Sequence, residues 1–211
     1  MGKAYNSAMP KVYSIDGITP VVHPSAFVHP SAVLIGDVIV GARAYIGPCA
    51  CLRGDFGRIV VEEGANIQDT CMLHGFPGKD TVVGAEVTVG HGAVLHGCVV
   101  GRGALIGMNC VVNDNAEIGE GAVVAALAFV KAEARIPPRA LVAGIPARVL
   151  RSLTEQELVW KQDNMHLYQQ LAVRSMKTMK EVDALREVEP NRKRIDVPGA
   201  IPLSELKKKH A

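Results

Sequence analysis

Aliphatic residues recur every six positions through most of this chain. They begin as Val22, Val28, Leu34, Val40, Ile46 and Leu52, and after a three-residue interruption resume as Val61, Ile67 and Leu73. A ten-residue step leads to Val83, Val89 and Leu95, and a five-residue step to Val100, Ile106, Val112, Ile118, Val124 and Val130. Gly often follows the aliphatic residue (Gly41, Gly47, Gly84, Gly90, Gly101, Gly107, Gly119), and a small residue often stands four positions on (Ala26, Ala32, Ala44, Ala65, Ala104, Ala116, Ala122). A period of six is neither the 3.6 of a helix nor the 2 of a strand. It predicts a coil with three flat sides, each a short strand closed by a turn that a small or positive-φ residue fills. Three hexapeptides make an 18-residue coil whose aliphatic residues point inward and stack on the coils above and below. The span from Val22 to Val130 then gives about six coils of an all-β parallel β-helix.

The flanking segments follow different rules. Residues 1–19 read as a lead-in, with Asp16-Gly17 as a strong turn pair between short apolar strands. His23-Pro24 and His29-Pro30 fall in turn slots and serve as spacers, because Pro favours extended geometry before it. The β-helix domain takes residues 20–150, and Ile136-Pro137-Pro138 and Gly144-Ile145-Pro146-Ala147 are expected to end its ladder, to which Pro cannot donate. Thr154-x-x-Glu157 is a capping box. It opens a helix expected over residues 155–188, within a segment 151–190 closed by Pro190. Met165, Tyr168, Ala172, Met176 and Met179 step by three or four and form one apolar stripe, predicted to lie on the prism or on a neighbouring copy. Residues 191–211 read as an extended tail with Pro198, Gly199 and Pro202, ending in a solvated Lys207-Lys208-Lys209.

Composition narrows the possibilities. Aromatics are only 4% and there are 21 glycines, which suits a narrow prism without room for rings inside. A net charge of +2 suggests neither nucleic acid nor a membrane surface as partner. No apolar run nears the ~20 residues of a membrane span, and no signal peptide is evident. Five cysteines (Cys49, Cys51, Cys71, Cys98, Cys110) show no CxxC spacing, which reads as reduced thiols in a cytoplasmic protein. Cys71 and Cys98, although near histidines in sequence, are expected to be small apolar fillers.

The histidines carry the candidate chemistry. His74 follows Leu73 and His96 follows Leu95, and the 22 residues between the two leucines are three hexapeptides plus a four-residue insertion at 75–80. That is one coil, so the two imidazoles should sit one above the other, about 4.8 Å apart. They could share a metal at Zn–N distances of roughly 2.0–2.1 Å. His91 lies two residues after Val89, on a different side of the prism. A neighbouring copy would supply it if three prisms pack around a three-fold axis, giving three sites between the subunits of a homotrimer.

Arg53-Gly54-Asp55, then Asn66-Ile67-Gln68-Asp69, then His74, His91 and His96 resemble the γ-class carbonic anhydrase family, over about residues 20–151. Within that family, VYSIDGITPVVHPSAFVHPSAVLIGDVIVG and IDVPGAIPLSEL are similar to the PaaY and CaiE group of phenylacetate-degradation and carnitine operons. The resemblance implies a left-handed parallel β-helix followed by a C-terminal α-helix, in a homotrimer. It implies Zn²⁺ (or Fe²⁺ or Co²⁺) held by His74 and His96 of one subunit and His91 of the next. Water at the open fourth position would ionise near pH 7. The hydroxide would hydrate CO₂ or hydrolyse a CoA thioester. Gln68 would hold that oxygen or the developing oxyanion, with Asn66 on the same face two residues earlier. Arg53, Asp55 and Asp69 would form a charged cluster near the interface, structural or catalytic. Tyr168 would either reach the mouth of the site from the helix or serve as packing.

Two departures bear on the reaction. Phe56 stands where the family's best-known members carry an acid directly after the position of Asp55. Their acidic loop after the first ligand is here the short 75–80 segment, charged only at Lys79 and Asp80. Those acids are linked to proton shuttling, so their absence argues for a slower hydratase or a hydrolase acting on another carbonyl. Two other classes share this fold. A hexapeptide acyltransferase uses one catalytic His on a long protruding loop, and a non-catalytic accessory protein would keep a metal to stabilise the trimer.

Overall fold

A computed structural model describes residues 10–197 and 205 of the 211. Residues 1–9 and the expected features at Pro198, Gly199, Pro202 and Lys207-Lys208-Lys209 lie outside the described residues.

The repeat is a parallel β-helix whose inward residues form three columns. The first runs Leu34, Leu52, Leu73, Leu95, Val112, Val130. The second runs Val22, Val40, Val61, Val83, Val100, Ile118, Ile136. The third runs Val28, Ile46, Ile67, Val89, Ile106, Val124, Val142. Each aliphatic residue therefore pairs with its equivalent one coil away, across every interruption of the frame. The residue two positions earlier points inward as well and is small under the first column, as Ala32, Ala50, Cys71, Ala93, Cys110 and Ala128 show. Cys98 fills the same slot under Val100.

The turns need positive φ at the third residue after the aliphatic one, as at Arg43 (56°), Cys49 (57°), Thr70 (59°) and Leu127 (63°). The glycines directly after the aliphatic residues answer a different demand. A Cβ on Gly107 would lie 2.4 Å from the backbone nitrogen of Ala126 on the next coil. It is close approach between coils, rather than φ, that excludes a side chain there.

The ladder does not stop after Val130. Arg135–Ile136 pairs with Glu117–Ile118, and Ala140–Gly144 pairs with Val123–Val124, so the third column has seven rungs. Pro137 and Pro138 are tolerated because this is the last rung of its column. Amides of each coil donate to carbonyls of the coil above, as Gly119 N–H does to Ile136 C=O at 2.8 Å. At the final rung no acceptor stands above, so the missing N–H costs nothing. Ala147–Ser152 then turns back and pairs antiparallel with Ala140–Gly144. At the other end, Lys11–Tyr13 adds a parallel partner to Val33–Ile35. The Asp16-Gly17 turn forms as expected, with Ile15 and Ile18 exchanging backbone hydrogen bonds of 3.1 and 2.9 Å.

The helix spans Glu155–Thr178 and ends ten residues before the expected Val188. Thr154 and Glu157 form the capping box, and Glu157 also accepts two hydrogen bonds from Arg151, at 2.7 and 2.8 Å. Descending the prism, Leu158 lies beside Gly121, Lys161 donates to the Gly103 carbonyl, and Gln169 donates to the Gly64 carbonyl at 3.4 Å. One helical turn rises about 5.4 Å against a coil spacing of about 4.8 Å, so successive turns meet successive coils. The buried stripe is Glu157, Lys161, Met165, Ala172 and Ser175, while Met176 and Met179 of the predicted stripe are 44% and 39% exposed. Ala172 already packs on Phe27, in the first strand of the third column. After Ser175 no residue of the helix is buried, and a helix without an apolar face to bury is marginal in water. Val182, Leu185 and Val188 continue the apolar spacing but stay exposed.

Candidate metal centre

His74 and His96 are register partners on neighbouring coils, both facing out from the first column, as their frame predicts. His74 Nδ1 and His96 Nε2 lie 3.1 Å apart. The other nitrogen of each ring meets a carboxylate. His74 Nε2–H donates to Asp55 at 3.0 Å, and His96 Nδ1–H donates to Asp114 at 2.5 Å. With both rings protonated toward these carboxylates, the two facing nitrogens both present lone pairs, an arrangement that a shared cation relieves. Two nitrogens bound tetrahedrally at about 2.0–2.1 Å would stand roughly 3.3 Å apart, close to the observed gap. A carboxylate on the far nitrogen of each imidazole is also the usual setting of a metal-bound histidine. The residues therefore fit a divalent ion.

Arg53 completes this corner. Its guanidinium approaches His74 Nε2 at 3.0 Å and Asp55 at 3.7 Å, while its buried Nε makes no hydrogen bond. Thr81 pins the turn by donating to the His74 carbonyl (2.6 Å) and accepting from Gly97 N–H (2.9 Å).

His91 lies on the corner between the third and first columns, away from the pair. Its Nδ1–H donates to Asp69 at 2.9 Å, which leaves Nε2 free, and its side chain is 45% exposed. Gln68 accepts from His91 N–H at 3.3 Å and donates to the buried Asn66 at 3.1 Å. Asn66 in turn donates to Thr88 at 2.9 Å, so the buried Gln68 is fixed by a short polar chain. Tyr168 stands beside this second cluster, edge-on to Tyr45 with ring centroids 5.6 Å apart. Burial, with the Asp69 charge adding to it, pushes its hydroxyl up to about 12. Among the described residues no three His, Cys, Asp or Glu of one chain gather round a cation position. The histidines thus fall into two clusters, one with His74 and His96 and one with His91, which would be half-sites only in an assembly of several copies.

Three participants carry no signal in the six-residue frame. Asp114 is detectable only as an acid 18 residues after His96, one regular coil away. Phe56 and Phe76 place their ring centroids 5.4 Å from that of His74 and 4.9 Å from that of His96. Their approach depends on two insertions meeting in space. Burial raises the Cys71 thiol to about 11 and the Cys98 thiol to about 12, so neither is a ligand or nucleophile near neutral pH.

Comparison with known proteins places this architecture. The family model described as bacterial transferase hexapeptide (six repeats) matches residues 19–54 and 97–132. The unmatched stretch between them, residues 55–96, holds Asp55, His74 and His96, while Arg53 and Asp114 lie in the matched segments. The carnitine operon protein CaiE of Salmonella typhi is 57% identical over 183 residues, covering 87% of this chain and 92% of CaiE. The chain belongs to the CaiE group of hexapeptide-repeat proteins. Solved relatives of this CaiE-type chain carry transferase descriptions. A Bacillus cereus protein provisionally described as an acetyltransferase has a TM-score of 0.77 at 34% identity, over 78% of this chain and 95% of its own. A hexapeptide transferase family protein from Anaplasma phagocytophilum has a TM-score of 0.75 at 37% identity, over 77% and 96%. Among the described residues no helix is long and apolar enough to cross a membrane.

Proposed function

We propose that this protein is a trimeric, divalent-metal-dependent enzyme of the γ-carbonic anhydrase type that adds water to an electrophilic carbon, of CO₂ or of a CoA thioester. The observation that carries the proposal is the facing pair of His74 Nδ1 and His96 Nε2, 3.1 Å apart, each ring held by a carboxylate. The trimer is supported by the separation of the two histidine clusters. It is also supported by an outward column of Val33, Cys51, Met72, Val94, Val111 and Phe129 on the histidine-bearing face. An apolar strip of this kind suits burial against another copy.

His74 and His96 of one subunit and His91 of the next would hold Zn²⁺, or Fe²⁺ or Co²⁺, since an all-imidazole site accepts several divalent ions. Such an ion, when bound, lowers the pKa of water to about 7 and polarises a carbonyl. The chain's residues do the rest. Asp55, Asp114 and Asp69 keep the three imidazoles in the tautomer that turns a lone pair toward the site. Gln68, oriented by Asn66, offers its amide to the attacking oxygen or the developing oxyanion. Arg53 balances the Asp55 charge and faces an anionic product. Phe56 and Phe76 stand beside the imidazoles, and the proton-shuttling acids of the family's best-known members have no counterpart after Asp55. That favours carbonyl hydrolysis over fast CO₂ hydration.

The test is metal content of the purified protein and of His91→Ala. Near one metal per subunit is expected in the wild type, with metal and hydrolytic or hydratase activity lost together in the variant. A wild type purified without chelator and offered zinc that holds no metal sinks the proposal. The second reading, an acyltransferase, draws support from the descriptions of the solved relatives. It calls for a catalytic His on a long loop, whereas residues 75–80 are short. Tight acyl-CoA binding by metal-free protein would favour it.

A further inference from the structure

The helix touches the prism at the corner between the second and third columns, where Gln169 meets the Gly64 carbonyl and Lys161 that of Gly103. That corner bears none of the three candidate metal ligands, since His74 and His96 follow the first column and His91 follows the third. Over the lower coils the helix leaves a groove of about 590 Å³ against Arg43. His166, Gln169, Gln170, Val173, Arg174 and Lys177 form its helical wall. Those positions share one helix face by their three- and four-residue spacing, and at 1.5 Å per residue the strip is roughly 16 Å long. Arg43 is fixed opposite, in a turn with a φ of 56° and with its N–H on Ser25 Oγ at 3.1 Å. Among the described residues no carboxylate lines the groove. Glu63 answers Arg43 at 2.8 Å. Arg174 and Lys177 are exposed and have no ion pair among the described residues. A basic residue in the last turn serves the helix dipole, and Lys177 is so placed. The dipole accounts for neither Arg43, which belongs to the prism, nor His166, three turns earlier. Like charges on neighbouring positions of a helix face repel, so an anion between Arg174 and Lys177 relieves both.

We infer that the groove between the helix and Arg43 is a second binding site, for an adenine nucleotide carrying two or more phosphates. Its volume lies within the roughly 300–1,000 Å³ of small-molecule sites and exceeds what a lone phosphate needs. The Arg43 and Arg174 guanidiniums offer forked donors to phosphate oxygens, and a guanidinium not so used lies flat on a purine. Val173, 42% exposed, gives the base an apolar floor, and the aliphatic stems of the arginines and Lys177 extend it. The Gln169 amide nitrogen is taken up by the Gly64 carbonyl at 3.4 Å and the Met165 sulfur at 3.0 Å. Its oxygen therefore stays available as the acceptor for an exocyclic amino group. Two sources carry this chemistry: a free nucleotide, and the nucleotide end of coenzyme A. Only the second rests on the thioester reading of the metal centre; the groove itself stands apart from that reading.

The experiment is calorimetric titration of the full-length protein with ADP, adenosine, pyrophosphate, coenzyme A and pantetheine. ADP is expected to bind about tenfold or more tightly than adenosine or pyrophosphate, and several-fold more weakly at about 300 mM salt than at about 50 mM. Arg174→Glu/Lys177→Glu should lower ADP affinity about tenfold or more. Arg43→Gln, which leaves the helix untouched, should lower it about fivefold. Lys11→Glu/Arg148→Glu, an equal change of net charge at the two rims of the prism, should alter it less than about twofold. Coenzyme A bound more tightly than ADP, with pantetheine inert, assigns the groove to coenzyme A. The groove variants should then raise KM for acetyl-CoA and leave hydrolysis of the acetyl thioester of N-acetylcysteamine unchanged. ADP bound as tightly as coenzyme A, or more so, assigns it to a free nucleotide. No binding of ADP to the wild type overturns the inference, as do pyrophosphate bound as tightly as ADP and equal losses in the groove and rim variants. Thioester hydrolysis by a protein that binds no nucleotide sinks the groove and leaves the hydrolase. Nucleotide binding that the groove variants lose, in a protein that hydrolyses no thioester, sinks the hydrolase and leaves the groove.

Discussion

Cys71, Cys98 and Cys110 show how one residue type takes its character from its slot. Each stands two residues before an inward aliphatic side chain, in a slot that takes apolar groups, and each is buried. Desolvation raises all three thiols, Cys71 to about 11 and Cys98 to about 12. A raised pKa leaves less thiolate at a given pH, roughly a thousandth of Cys71 at pH 8. The native protein should therefore react with a chromogenic disulfide at pH 8 through at most two thiols, exposed Cys49 and more slowly half-buried Cys51. All five should react after unfolding. Three or more fast thiols in the folded state would contradict this assignment. The filler role of Cys71 and Cys98 is legible in sequence because the frame fixes which residues point inward. The role of Asp114 is not, because an outward acid in a turn looks like any solvated one until its distance to His96 is known.

The helix depends on its first turn and on the coils beneath it. Glu157 is almost buried and accepts from Arg151, from the Thr154 amide and from the Thr154 hydroxyl. Glu157→Ala removes the cap partner and strands those donors, a cost of about 2 kcal/mol once the partly exposed Arg151 is discounted for screening. A thermal scan should show a midpoint lower by about 4–8 °C. Glu155→Ala, at a carboxylate 88% exposed, should shift it by less than about 2 °C. An equal effect of the two would mean that the cap does not anchor the helix. The capping box was readable from Thr154 and Glu157, and the three columns from the frame, because every coil repeats one steric demand. The end of the helix was not readable, since the apolar spacing runs on through Val182, Leu185 and Val188 after burial has stopped at Ser175. Ile136 and Val142 were missed for a related reason. Prolines break a ladder in its interior, but sequence alone does not say which rung is last.

At the scale of the whole molecule, the three prism faces are dressed differently. The third carries the helix, the first the histidine pair and an apolar outward column, and the second an outward row of Val21, Ile39, Val60, Val82 and Val99 that gives way to Glu117 and Arg135. If the first face is the one that assembles, Met72→Glu should convert the protein to monomers in sedimentation velocity. Val99→Glu, on the second face at a position already 43% exposed, should leave the assembly unchanged. The reverse pattern would move the interface and remove the case for His91 as a shared ligand. The upper rim has a consequence of its own. Stacked parallel strands spaced about 4.8 Å apart are the geometry of cross-β fibres, and a bare terminal rung is a template for another chain. Pro137 and Pro138 withdraw the donors from one side of that rim, and Ala147–Ser152 folds back over another. End-to-end growth is thereby denied its hydrogen bonds, and the solenoid stays a particle of fixed height rather than the seed of a filament.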